Sequence, residues 1–278
     1  VENGIHKLRI NPGNIGGEAN VRELAAAAKA HHIPIRIGVN TGSIEKDILA
    51  KYGGPCAEGL VESALTHARM LEKVGFEDIV LSMKASDVRL TIDTYQLAAQ
   101  KCDYPLHVGV TEAGLPGQGT IKSAIGIGAL LLQGIGDTIR VSLTEPPQNE
   151  VPVAQLLVSH FAEREGHFEV AHPERYSPFE YRRRTTIQTP VTHDEADERF
   201  MVVEATSANP TAEWRAALLD AEPSQPIIIR RRYEDADLET LAVRAAADMG
   251  ALFLDGLADG IWIDAPQHPV EEIRRIEL

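Results

Sequence analysis

IPIRIGVN, residues 33–40, decides how this chain folds. Ile35 and Ile37 alternate with Arg36, Gly38 and Asn40, which is the period of a strand that buries one face and presents polar groups on the other. Four more short apolar segments end in polar or charged residues in the same way: KLRINPGN (7–14), DIVLSMKAS (78–86), LHVGVTEAG (106–114) and TIRVSLTE (138–145). Counting by twos places Arg9 with Asn11, Arg36 with Gly38 and Asn40, Ser82 with Lys84, and Arg140 with Ser142 on a polar phase. The opposite phase is Leu8, Ile10, Ile35, Ile37, Leu81, Met83, Val141 and Leu143.

Runs with helical apolar spacing separate these strands: VRELAAAAKAHH (21–32), EGLVESALTHARMLEKVG (58–75), ASDVRLTIDTYQLAAQK (85–101) and TIKSAIGIGALLLQG (120–134). Strand and helix alternate, so the expected class is α/β with a parallel sheet. Strands of a doubly wound sheet are covered on both faces and read apolar throughout. These carry a polar phase, which suits a closed barrel whose inner face opens at the C-terminal strand ends. The expected architecture is a (β/α)8 TIM-type barrel of which about five β/α units are present.

The character changes after the helix-like VPVAQLLVSHFAER (151–164), where HFEVAHPERYSPFEYRRRTTIQTPVTHDEADER (167–199) is polar and weakly patterned. Strand-like FMVVEA (200–205), PIIIRR (226–231), ALFLDG (251–256) and GIWIDA (260–265) follow, with helical TAEWRAALLDAE (211–222) and DLETLAVRAAADMG (237–250) between them. The expected division is a partial barrel over 1–166 and a second α/β, barrel-like insert domain over 167–278.

A net charge of −14 argues against nucleic acid or an anionic membrane as partner. No apolar run approaches the ~20 residues of a membrane span and no signal-peptide pattern opens the chain, so a soluble protein is expected. Cys56 and Cys102 are the only cysteines, far apart and without a C-x-x-C pair. Neither a disulfide framework nor a cysteine metal site follows from them. The ten histidines show no metal-ligand spacing; His31, His32, His160 and His193 read as surface residues.

In a barrel, Arg9, Arg36, Lys84 and Arg140 converge on one mouth from four strands. Like charges gathered there are costly unless acids or an anion compensate them. Arg and Lys clamp phosphate oxygens, the first as a planar fork and the second as a point charge. A phosphate-bearing polyanion is the economical ligand; internal pairing with Glu112, Asp78, Asp87 or Asp137 is the competing reading. Asn11 and Asn40 stand where turn capping and ligand contact are equally served. Glu112 falls on the phase opposite to His107, Gly109 and Thr111, so strict alternation hides it. A backbone turn before the following glycine would bring it into the mouth as a general acid or base, and from spacing alone a capping or salt-bridge role stands level with that. GLPGQGTIKSAIGIG (114–128) is a weak anion-site pattern that reads as loop then helix, and the RRR runs at 182–184 and 230–232 read as solvated charge or local salt bridges.

The strings KLRINPGNIG, IPIRIGVNTGSIEKDIL, LSMKASDV, PLHVGVTEAG and KSAIGIGALLLQGIGDTIRVSLT closely resemble the N-terminal barrel of the (E)-4-hydroxy-3-methylbut-2-enyl diphosphate synthase family, iron–sulfur enzymes of the non-mevalonate isoprenoid pathway. The resemblance covers about residues 5–146. PIIIRRRYEDADLETLAVRAAADMGALFLDGLADGIWID resembles the insert domain of the three-domain form found in plants and some bacteria. The resemblance implies two-electron reductive ring opening of 2-C-methyl-D-erythritol 2,4-cyclodiphosphate to 4-hydroxy-3-methylbut-2-enyl diphosphate, with electrons from ferredoxin or flavodoxin passing through a [4Fe-4S] cluster. It implies that Arg9, Asn11, Arg36, Asn40, Lys84, Arg140 and Ser142 hold the cyclic diphosphate, and that Glu112 transfers a proton or positions a hydroxyl.

The resemblance also implies that the family's earlier barrel strands would precede Val1 and that its cluster domain, with three Cys and one Glu as ligands, would follow Leu278. On that reading the cluster ligands lie outside this chain, the chain alone is inactive, and it carries much of the substrate-binding half. A monomer or loose homodimer is implied, in the cytoplasm or, for a plant protein, the plastid stroma. Two rivals compete for the same cation cluster: a redox-free phosphate-ester barrel, such as a pteroate-synthase-like transferase or an aldolase, and a non-catalytic anion-binding protein.

Overall fold

β-Branched and aliphatic residues on one phase of each strand build the packed side of the molecule, and the polar phase is left facing away from it. A computed structural model describes residues 4–11, 18–115, 117–144, 146–162, 200–219 and 225–278. The chain divides into two compact units, residues 1–119 with 134–154 and residues 120–133 with 155–278. The division expected at 166/167 lies outside the described residues, as do the RRR run at 182–184 and His193.

The first unit runs β1 (Leu8–Ile10), α1 (Glu18–Ala30), β2 (Ile35–Asn40), α2 (Lys46–Tyr52), α3 (Ala57–Lys73), β3 (Ile79–Lys84), α4 (Val88–Lys101), β4 (His107–Val108) and β5 (Thr138–Ile139). Helix α5 (Gln118–Leu131) lies between β4 and β5 in sequence, and α6 (Glu150–Ala162) follows β5. The strands pair in parallel, Arg9 beside Arg36, Asn40 beside Lys84, and His107 beside Thr138. A parallel bridge between Leu81 and Leu106 joins β3 to β4. Neighbours therefore follow chain order without the reversal that defines a doubly wound sheet, which is the strand order of a (β/α) barrel. Five strands do not by themselves close an eight-stranded one.

The apolar phase behaves as its period requires. Ile35, Ile37, Val39, Leu81 and Met83 are fully buried, and α3 packs on β2 and β3 with Leu60, Ala64 and Leu71 equally buried. Helix starts are set by short side chains. Cys56 Sγ accepts from Gly59 N–H at 3.3 Å ahead of α3, and Asp87 Oδ1 accepts from Leu90 N–H at 2.6 Å ahead of α4. Helix α2 stops at Gly53, whose φ of 76° is a left-handed conformation open to glycine. The pattern reading gave neither α2 nor the C-terminal α9 (Val270–Glu277), both under nine residues and so too short to show a period.

Tyr95 of α4 completes the seam between β3 and β4. Leu81 N–H donates to Pro105 C=O at 2.9 Å, and the ladder resumes where Thr111 N–H donates to Ala85 C=O at 3.1 Å. Between them the register would join Met83 N–H to His107 C=O directly. Instead Met83 N–H donates to Tyr95 Oη at 3.0 Å and Tyr95 Oη donates to His107 C=O at 2.6 Å. One buried hydroxyl thus stands in for a backbone bond and spaces the two strands.

The second unit repeats the logic. β6 (Met201–Glu204), α7 (Pro210–Leu218), β7 (Ile227–Arg232), α8 (Leu238–Leu254), β8 (Gly260–Asp264) and α9 form a three-stranded parallel sheet in chain order with helices between the strands. Trp214, Leu218, Ile227, Ile229, Leu241, Leu252, Ile263 and Ile273 share its core. ALFLDG is not the expected strand: Ala251 to Leu254 are the last turn of α8, and Gly256 at φ 67° ends the run. So short an apolar stretch has no period that separates strand from helix, and Asp237, accepting from Thr240 N–H at 2.8 Å, had already started the helix upstream. His160 is not a surface residue either. Its side chain is 12% exposed and its Nε2 lies 2.8 Å from Oδ1 of the fully buried Asp248.

Tyr95→Phe removes the hydroxyl that two buried backbone groups use, and is expected to cost about 1–3 kcal/mol in urea unfolding, well beyond an exposed Tyr→Phe change.

Candidate anion-binding site

The polar phase of the first unit carries Arg9, Arg36, Lys84 and Arg140, with Gly38, Ser82, His107, Gly109 and Thr138 between them in register. Arg9 and Arg140 are exposed, Arg36 is half-buried and Lys84 is 8% exposed. Two glycines on this phase make room for the long cations. A Cβ at Gly38 would fall 2.5 Å from Arg9 Nε, and one at Gly109 would strike the Arg140 carbonyl and lie 3.6 Å from Lys84 Cε. Arg9 in turn donates through Nη2 to Gly38 C=O at 3.3 Å.

These cations act on one another. Burial, then Arg9, then Arg140 lower the pKa of Arg36. Lys84 is pushed down to about 7 by burial first, then by Arg36, Arg140 and Arg9, with Glu150 pulling weakly the other way. His107 is pushed down to about 3 by burial and by Lys84, Arg36, Lys7 and Arg140. Arg36 Nε and His107 Nε2 are both buried and without a hydrogen-bond partner among the described residues. The structure thus brings all four predicted cations together and leaves them short of negative charge.

The acids that the sequence offered as partners are engaged elsewhere or stand apart. Asp87 caps α4, and Asp137 Oδ2 accepts from Leu106 N–H at 2.7 Å. Among the described residues, neither they nor Asp78 nor Glu112 forms an ion pair with the four cations. The acid that does is Glu150 at the start of α6, which the pattern reading missed. Its Oε2 is 3.6 Å from Arg140 Nε, while Oε1 accepts from Leu143 N–H at 3.1 Å. One carboxylate against four cations leaves the face strongly positive.

The remaining predicted residues are placed as follows. Asn11 lies just past β1 and is half-buried; Asn40 ends β2, where Ser43 Oγ accepts from its N–H at 2.8 Å and donates to its C=O at 3.0 Å. The turn is thus closed by Ser43. Ser142 lies two residues beyond Arg140 on the same phase, half-buried. Glu112 has φ 50°, an uncommon conformation for a residue with a Cβ, and is exposed. Alternation therefore ends at this residue, so the strand phase does not determine its direction. His107, Gly109, Tyr95 and Glu150 act through register or tertiary contact; of these, only His107 on β4 and Gly109 just past it left a signal in the sequence, their shared phase with Thr111.

Cysteine placement does not fit the iron–sulfur group implied by the resemblance. Cys56 caps α3, Cys102 Sγ donates to Ala98 C=O at 3.3 Å, and burial raises the pKa of both thiols. Among the described residues no three His, Cys, Asp or Glu side chains are grouped to hold a metal ion.

A parallel strand array in chain order with one polar, cation-lined phase is the arrangement of a (β/α) barrel. The family model described as the GcpE TIM-barrel domain matches residues 1–155. The chain belongs to this family, and its first unit is part of a TIM barrel. Proteins named 4-hydroxy-3-methylbut-2-en-1-yl diphosphate synthase (flavodoxin) from Fusobacterium nucleatum and Caldanaerobacter subterraneus are 61% and 62% identical over 158 residues, which is 57% of this chain and 45% and 44% of theirs. The protein of the same name from Geobacillus thermodenitrificans is 58% identical over 161 residues, 58% of this chain and 43% of its own. The chain thus spans less than half the length of the curated relatives it matches.

Lys84 titrates near 7 in the fold and near 10.5 when unfolded. Between those values the unfolded chain binds the extra proton, so stability rises with pH across that window and is lost as pH falls through about 7. Lys84→Met is expected to flatten that rise and to raise the Tm of the ligand-free chain at neutral pH and below, measured by calorimetry across the window.

Proposed function

We propose that this chain carries the substrate-binding barrel of a 4-hydroxy-3-methylbut-2-enyl diphosphate synthase and binds 2-C-methyl-D-erythritol 2,4-cyclodiphosphate on its cation-lined face. The observation that carries the reading is the uncompensated cluster itself. Among the described residues, Arg9, Arg36, Lys84 and Arg140 share one face with a single acidic partner, and Arg36 Nε is buried and unpaired. A cyclic diphosphate supplies the missing charge and several acceptor oxygens at once.

In this reading the arginines engage phosphoryl oxygens through forked donors and Lys84 contributes a point charge. Lys84 takes up a proton when the ligand arrives, because the anion reverses the repulsion that holds its pKa down. Asn11, Asn40 and Ser142 supply neutral hydrogen bonds that orient the ring. Glu112, released from strand alternation, is the group assigned to proton transfer or to holding a hydroxyl. The [4Fe-4S] cluster of the complete enzyme supplies reducing electrons and is held outside the described residues. Flavodoxin is the donor suggested by the relatives' names, ferredoxin the other. Residues 167–278 serve as the insert domain of the three-domain form, in a monomer or loose homodimer working in the cytoplasm or plastid stroma.

Isothermal titration with the cyclic diphosphate tests the reading. Binding is expected to weaken with salt, and Arg36→Ala with Arg140→Ala is expected to weaken it by at least about 100-fold, since each charged hydrogen bond contributes about 1.5–3 kcal/mol. A folded wild-type chain that binds no diphosphate would sink the proposal.

A further inference from the structure

His107 is held at one end and bare at the other. It lies on β4 in phase with Gly109 and Thr111 of the segment that follows, and its cross-strand partner on β5 is Thr138. Its Nδ1 lies 2.8 Å from Thr138 Oγ1, and its carbonyl receives the Tyr95 hydroxyl at 2.6 Å. Both ring direction and backbone are thereby fixed. Nε2, in contrast, is buried with no partner among the described residues. A dry, unpaired ring nitrogen is a desolvation cost that folded proteins rarely leave standing without a use.

The charged groups acting on the ring come from every neighbouring segment: Lys84 on β3, Arg36 on β2, Lys7 ahead of β1 and Arg140 just past β5. Glu150 of α6 reaches the cluster through Arg140 and Lys84. In that company the ring stays neutral at physiological pH, with a single N–H to place. When Nδ1 accepts from the Thr138 hydroxyl, that N–H sits on Nε2. A neutral donor then stands among cations, adding a hydrogen bond for an anion without adding a fifth like charge.

We propose that His107 is a further ligand-contacting residue of the barrel's anion site, its Nε2–H donating to a phosphoryl oxygen of the bound diphosphate while Thr138 orients the ring through Nδ1. This rests on the reading of the cation cluster as a diphosphate site. It deepens that reading by giving the inner end of the site a donor whose charge does not compete with the arginines.

The two conservative replacements separate contact from packing, because asparagine reproduces the position of Nδ1 and glutamine that of Nε2. Isothermal titration of the whole chain with inorganic pyrophosphate and with the cyclic diphosphate is expected to show His107→Asn about ten-fold or more weaker than wild type and His107→Gln within about three-fold of it. The opposite order, Asn tolerated and Gln not, would mean that only the Thr138 contact matters and would overturn the inference. In the imidazole 15N spectrum of the wild-type chain, the Nε2 resonance that His107→Gln deletes is expected to move on addition of pyrophosphate; a resonance that stays in place overturns the inference as well. Wild-type binding with both variants equally tight defeats this inference alone, whereas no binding by the wild-type chain defeats the diphosphate site and this inference with it.

Discussion

Repulsion among the cations of one strand face is the constraint on which the first unit depends. Arg9, Arg36, Lys84 and Arg140 are brought together by four parallel strands and their ends, and among the described residues Glu150 is the single acid that pairs with them. Burial makes the gathering more expensive, because Lys84 is almost wholly enclosed and one guanidinium nitrogen of Arg36 has no partner among the described residues. Such an arrangement persists only where the rest of the fold over-determines it. The opposite strand face does so: Ile35, Ile37, Val39, Leu81 and Met83 are fully buried and are covered by α3 and its neighbours. Packing lies on one side of the sheet and the cation cluster on the other.

The second unit shows the same residue type with its charge paired. Its strand β7 also ends in arginines, and each meets an acid. Arg230 pairs with Asp264 at 3.0 Å and lies 4.2 Å above the Trp262 ring, Arg231 is 3.7 Å from Asp248, and Arg232 pairs with Glu234 at 2.8 Å. Asp248 is also met by His160 and by the Tyr233 hydroxyl at 3.1 Å. Charge in that unit is neutralised internally, whereas charge in the first is held open. Identical side chains at strand ends therefore carry different meanings, and the partner acids decide which.

Much of this was legible in the sequence because period two is a strong signal. The strands of the first unit, the phase of Arg36 and Lys84 and the helices between them follow from alternation alone. Glu112 resisted because its left-handed backbone breaks the alternation that would have placed it. Glu150 and Tyr95 resisted for another reason: each acts on a strand from a helix, through a contact that no spacing along the chain encodes. ALFLDG was misread because it is too short to show a period of its own at the end of a long helix, and His160 because its partner Asp248 is far away in the sequence. Gly109 is informative only once the neighbouring Lys84 and Arg140 are known, since a glycine in a strand gives no hint of what needs its space.

The most direct measurement is the titration of Lys84 itself, by 13C NMR of its ε-methylene in labelled chain, assigned with Lys84→Met and repeated with saturating pyrophosphate. A face built around unsatisfied positive charge predicts a midpoint near 7 in the free chain and a clear upward shift, toward the ordinary lysine range, when the anion binds. A midpoint already near 10.5 without ligand, unmoved by pyrophosphate, would contradict it: the cluster would then be compensated from within, and the face would hold no vacancy for an anion.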